Sequence, residues 1–293
     1  MKIIVATAIF ILSLSNFSSA SCLDGGMLGF MDKSSPEVSF LAFPQCVRAN
    51  QCSIAKNELE KVKTYDTIKY SFLKGCALAN GDCFKQDLKE SERLLISCSK
   101  QSYTCKVALF NLYSIYGDAP EKYEQFALEL ADHGYVGAYA FLADLYGGRG
   151  TVEGIAKGYF WGKLLLASFE NQLKNFDRFE NENRAYINHD VKRREQISGD
   201  IRNVSSLLKS LENRLPRNVV SKIDGIYLKY VSDRLSNPYA NQDALSGNSD
   251  VYGVYGRSVT SPKNNQKINL MPPKSPKPDR IQEYENSVLA LLG

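Results

Sequence analysis

The chain is short of the residues that most catalytic and nucleic-acid-binding proteins rely on. Its 293 residues include two histidines, one tryptophan and four methionines. His133 falls in a loop between helical patterns, and His189 lies in a charged helical stretch beside Asn188 and Asp190. Neither has a catalytic neighbourhood in sequence. No H-E-x-x-H and no G-x-S-x-G element occurs, and no phosphate loop follows a strand. Gly147-Gly148-Arg149-Gly150 is read as a turn between helices, because a phosphate cradle needs a preceding strand that is missing here. No catalytic, cofactor or metal site is therefore expected. The formal charge of +4 is too mild to mark a nucleic-acid binder. After the N-terminal segment, no apolar run approaches the roughly 20 residues of a membrane span. Cysteine is absent beyond position 105.

What is present points to export. Lys2 opens a small basic region, Ile3 to Leu14 form an apolar run, and Ser18-Ser19-Ala20 supply small residues for cleavage. Positions 1–20 are expected to be a signal peptide, leaving a periplasmic protein, with a secreted or lipid-anchored form as the alternative. All seven cysteines lie between positions 22 and 105. In an oxidising compartment such clustering reads as disulfides, since C-x-x-C is missing and both histidines are remote. An odd number leaves one thiol over, and Cys22, near the start of the mature chain, is expected to be that one.

Positions 21–50 read as a lead-in segment with Phe40, Leu41 and Phe43 packing against the first helices. From Ser53 the helical pattern begins. Ile54, Leu59 and Val62 mark one helix; Ile68, Phe72, Leu73 and Cys76 mark a second. The clearest unit is Gly134 to Ala167. Ala138, Leu142, Leu145 and Tyr146 share one face, and after the glycine turn Phe160, Trp161, Leu164 and Ala167 repeat the arrangement. A shift of 33 residues places Cys98 on Ala131, Cys105 on Ala138, Leu109 on Leu142, Leu112 on Leu145 and Tyr113 on Tyr146. That period belongs to stacked helical hairpins. Small residues at Ala131 and Ala138 mark where consecutive helices touch, so Cys98 and Cys105 are expected to form a disulfide.

Leu142-x-x-Leu145-Tyr146, the glycine turn, Lys157, Trp161 and Ala167 resemble a Sel1-like repeat, the tetratricopeptide-related helical hairpin. An earlier, weaker copy runs through Leu78, Gly81, Cys83, Phe84 and Asp87, followed by Leu94 and Cys98. Gly158 stands where that family usually has alanine. The resemblance implies an all-α, disulfide-stapled solenoid over positions 51–168 that works as a binding surface. A narrower resemblance rests on order. Asn50-Gln51-Cys52, Phe72-Leu73, Gly81 to Asp87 and the ending Leu211 to Val220 follow one another as in the MotX family of sodium-driven polar flagellar motors. It implies docking to flagellar stator or periplasmic ring proteins, and it suggests pairing of Cys52 with Cys83. Cys46 and Cys76 would then pair with each other; the local alternative is Cys46 with Cys52 and Cys76 with Cys83. Another exported Sel1-like binder, for envelope assembly or directed at a host, is the second reading. An enzyme acting on cell-wall or β-lactam substrates is the third.

Positions 169–237 read as one long charged helix from Phe169 to Leu215, followed by a capping helix. Ile197, Ile201, Val204, Leu208, Leu211 and Leu215 form a seam expected to pack back on the repeats, with a coiled-coil contact as the rival. Pro216 starts the next helix, which uses Val220, Ile223, Tyr227 and Val231. Positions 238–293 read as a tail rich in Asn, Ser, Gly and Pro, including Met271 to Pro278. It is expected to be unfolded. Within it, Ile281, Tyr284, Val288, Leu291 and Leu292 could form a short docking helix on a partner or on the repeats. Tyr139 and Asp144 are the other candidate partner-facing residues.

Overall fold

The computed structural model describes residues 22, 36–182, 191–235 and 279–292. Among them the chain is mostly helical, at 84%, with eleven helices and no strands. They are α1 (Pro36–Arg48), α2 (Cys52–Tyr65), α3 (Thr67–Asn80), α4 (Leu88–Ser99) and α5 (Tyr103–Tyr116). Then come α6 (Glu124–Asp132), α7 (Val136–Gly148), α8 (Val152–Glu182), α9 (Val191–Glu212), α10 (Arg217–Leu235) and α11 (Asp279–Leu289). The expected signal peptide, His189, and the proline-rich stretch lie outside the described residues. No described helix is long and apolar enough to cross a membrane.

The chain divides into two compact units, with the boundary between Leu112 and Tyr113. In the first, α1 packs on α2, α2 on α3, and α3 on α4. Local polar chemistry sets the breaks. Asp66 caps α3 by accepting from the Ile68 and Lys69 amides at 3.0 and 2.9 Å, and Asp87 caps α4 by accepting from Glu90 N at 3.0 Å. Gly81 ends α3 at φ 73°, a left-handed conformation that glycine adopts without a Cβ penalty. Ser39 of α1 donates to the buried Glu58 of α2 at 2.8 Å, and Lys61 pairs with the same carboxylate at 2.7 Å.

Three cysteine pairs stand at disulfide separation. Cys98 and Cys105 join the end of α4 to the start of α5, with Cα atoms 5.8 Å apart. Cys52 and Cys83 join α2 to the loop after α3 at 5.0 Å. Cys46 does not pair with Cys76. It pairs with Cys22, again at 5.0 Å, and the Cys22 amide donates to Gln51 Oε1 at 2.8 Å. The thiol left over is therefore Cys76, not Cys22, and neither local alternative forms. Cys76 sits in the buried face of α3, where desolvation, with Asp82 adding to it, pushes its pKa up to about 12. The first helix begins earlier than the pattern from Ser53 suggests. Phe43 of α1 is fully buried, and Pro44 sits inside the helix.

In the second unit α7 lies along α8, and α8 also carries α9, α10 and α11. The hairpin read from Gly134 to Ala167 is α7 and α8, but α8 runs on to Glu182, so the boundary expected at position 168 falls inside a helix. The single charged helix expected from Phe169 to Leu215 is thus the end of α8 and a separate α9. The α9 seam packs on the chain's own α8. Ile197, Val204, Leu208, Leu211 and Leu215 are buried, and Leu208 closes over Gly162. That is the cap, not the coiled coil. Of the set expected for α10, Ile223 is buried, while Val220, Tyr227 and Val231 are half-buried; Val219 and Tyr230 join Ile223 in the buried stripe.

Candidate docking groove in the second unit

The second unit is organised around aromatic rings. Trp161 of α8 is fully buried. It stacks on Tyr139 of α7 with centroids 5.7 Å apart and meets Phe160 edge-on at 5.3 Å. Phe160 meets Tyr230 of α10 at 5.8 Å, and Tyr230 meets Tyr284 of α11 at 4.9 Å, both edge-on. Rings in these geometries add to the area they bury. Tyr139 is only 4% exposed, so it belongs to the core and is not a partner-facing residue. Asp144, also proposed for that face, is exposed. Tyr113, Tyr116 and Tyr146 are core residues as well, with Tyr113 stacked on Tyr123 at 4.8 Å.

Into this aromatic floor the chain inserts its own C-terminal helix. α11 packs against α6, α8 and α10. Tyr284, Glu285 and Val288 are buried, Leu291 and Leu292 are half-buried, and the Ile281 side chain lies outside the described residues. The amphipathic pattern of the tail thus docks on the chain itself. Glu285 was not anticipated, yet it lies on the same stripe, four residues after Ile281 and three before Val288. An acid on the apolar stripe was the available signal.

Glu285 is 2% exposed and is surrounded by donors. Trp161 Nε1 donates to its Oε1 at 3.1 Å, and Lys157 Nζ stands 3.8 Å from Oε2. Tyr146 faces both Glu285 and Glu124, and its hydroxyl donates to Glu124 Oε1 at 2.8 Å. Arg149 pairs with the other oxygen of Glu124, and Glu153 shares Lys157 at 3.6 Å. Desolvation holds the Glu285 carboxyl above its ordinary value, against the pull of Lys157, Tyr146 and Trp161; Glu124 adds to the rise. Burial first, then Glu285 and Glu124, raises the Tyr146 phenol, which therefore stays a proton donor. A carboxylate so enclosed fixes a helix in register.

The other sequence candidates fall elsewhere. Cys52, Cys83, Cys98 and Cys105 hold the first unit together, while His133 ends α6 with Nδ1 2.9 Å from the Glu129 carbonyl. Four Ser-x-x-Lys spacings bear on the enzyme reading: Ser53/Lys56, Ser71/Lys74, Ser97/Lys100 and Ser206/Lys209; Ser97 donates to the Leu94 carbonyl at 2.7 Å. Lys74 Nζ lies 3.3 Å over the Phe84 ring, and Ser206 donates to the Arg202 carbonyl at 3.0 Å, so both already serve packing or helix contacts. Among the described residues no group of His, Cys, Asp or Glu is arranged to hold a metal ion. No protein-family model, curated protein or solved structure matches the chain.

Proposed function

We propose that this chain is an exported helical-repeat scaffold that works by docking other proteins, with no chemistry of its own. The observation that carries it is the set of three cysteine pairs at disulfide separation in an all-helical chain. Such cross-links are kept in oxidising compartments and make rigid faces. The Sel1-like and MotX-like order of motifs gives the scaffold a setting. It positions stator or ring proteins of a polar flagellar motor in the periplasm. A Cys22 sulfur bonded to Cys46 is not available for a lipid thioether, which favours an unanchored mature protein.

Deleting the gene tests this reading. The expected result is a motility defect with motor rings that are incomplete or lack stators, restored by the wild-type gene. Normal swimming with intact rings would overturn it. The Cys22–Cys46 link and the long tail favour the second reading, another exported Sel1-like binder; the protein would then be recovered from culture supernatant instead of periplasm. Turnover of a labelled β-lactam by the oxidised protein would establish the enzyme reading instead.

A further inference from the structure

We infer that the groove of the second unit is a docking site for an amphipathic helix of the pattern Tyr-Glu-x-x-Val, and that α11 is its resident ligand, exchanged for a partner's helix. The inference rests on the scaffold reading only for the partner; occupancy of the groove stands by itself.

Three observations point this way. First, α11 is an eleven-residue helix, a length at which an isolated helix is marginal in water. Its helical form therefore depends on the groove, as in a peptide that folds on binding. Second, the contacts come from one stripe. Tyr284 and Val288 fill apolar space, and Glu285 supplies the polar anchor 124 residues along the chain from Trp161. Apolar walls with a few placed polar groups are what recognition sites use to set orientation. Third, a cap meant only to cover Trp161 would do as well with an apolar residue at 285. The buried carboxyl group is the acceptor for Trp161 Nε1, so a helix lacking the acid or shifted in register leaves that buried indole N–H without its acceptor and Lys157 with Glu153 alone. The groove thus reads an acidic-aromatic helix. Because the resident copy belongs to the same chain, it competes at high local concentration, so the site opens only to a strong competitor and docking within one chain is favoured over exchange with a second copy.

The test uses full-length oxidised protein and a fluorescein-labelled peptide of positions 279–293. The labelled peptide is expected to bind the Glu285→Ala protein about ten-fold more tightly than wild type, because the competing α11 has lost the acceptor for Trp161 Nε1. Placing Glu285→Ala in the peptide should weaken its binding by a similar factor. Trp161 is the only tryptophan, so its emission should shift to the red when α11 leaves and return when peptide binds. Tyr284→Ala serves as a second variant, with far-UV circular dichroism confirming that each protein is folded. Equal affinity for wild-type and Glu285→Ala peptides would overturn the inference, as would no binding to either opened variant. A wild-type dimer that Glu285→Ala abolishes would assign the groove to a second copy and overturn the partner. Because these readouts use purified protein, their failure is separate from that of the motility test.

Discussion

One substitution, glycine to alanine, should change stability in opposite directions at two places in the second unit. In α8, a Cβ on Gly158 would stand 2.7 Å from Gly147 N, 2.9 Å from Gly147 Cα and 3.1 Å from the Ala143 carbonyl oxygen of α7. All three are backbone atoms, so no side chain can turn aside to relieve them. The helices would have to separate at this close approach of α7 and α8. Overpacking of this kind costs about 1–3 kcal/mol, and backbone contact puts Gly158→Ala near the top of that range. Alanine returns about 1 kcal/mol in helix propensity. The net expected loss is about 2 kcal/mol. In α10, a Cβ on Gly225 meets nothing within 4 Å, and the position is exposed. Only the propensity term remains, so Gly225→Ala should gain up to about 1 kcal/mol.

Gly162 tests the logic between these extremes. Its added Cβ would lie 2.8 Å from Leu208 Cδ2, the far end of a flexible side chain. Leu208 can change rotamer, so the two terms should nearly cancel, to within about 0.5–1 kcal/mol. Urea midpoints of the oxidised protein, with thermal melting as a second measure, check the order. At roughly 2–4 °C per kcal/mol, Gly158→Ala should melt about 4–8 °C below wild type, and Gly225→Ala should melt slightly above it. A Gly158→Ala protein as stable as wild type would refute the close approach of the α7 and α8 backbones. If Gly225→Ala destabilised, α10 would not be an exposed helix there.

Other outcomes follow from the cysteines and the buried acid. The Cys98→Ala/Cys105→Ala double variant should lose about 2.5 kcal/mol from opening a link of sequence separation 7, and Cys52→Ala/Cys83→Ala about 3.7 from separation 31; urea unfolding checks both. Ellman's reagent should find no reactive thiol in the native oxidised protein and one after denaturation, because Cys76 is buried with its pKa pushed up; three thiols in the denatured protein would mean that one pair is not linked. Glu285 has a folded-state pKa above its ordinary 4.5, so the docked state holds the proton more tightly than the undocked one. Docking of α11 should be strongest below about 4.5 and weaken as pH rises through the folded-state value. Trp161 emission over that window should show the change, and Glu285→Gln should remove it, while Lys157, Glu124, Glu153, Tyr146 and Arg149 remain in place.

The departures from the repeat pattern show what could be read from residues alone and what needed three dimensions. Spacing sufficed for the buried faces of α7 and α8, because Leu142, Tyr146, Trp161 and Leu164 answer to one physical rule, the helical period. Cys98 and Cys105 follow the same rule at one remove, since the 33-residue offset puts them where small residues meet. Gly158 looked like a lapse from an alanine consensus. Its reason lies across the interface, where Gly147 leaves no room for a methyl group, and no period within one helix carries that fact. Tyr139 failed for a related reason. Its place on a presumed inner face said nothing of Trp161, which stacks on it and takes it into the core. The cysteine pairing was equally non-local. Cys22, whose amide is held by Gln51, stands at disulfide separation from Cys46, so the odd thiol moved from the chain's start to the middle of α3. Glu285 combines both kinds of information. Its position on the stripe of α11 was open to reading, but the meaning of an acid there depends on Trp161, Lys157 and Tyr146, more than a hundred residues earlier. An acid on the apolar face of a short terminal helix is therefore best read as a request for donors elsewhere in the chain. Here α7 and α8 supply them, so the helix carries binding information beyond its apolar area.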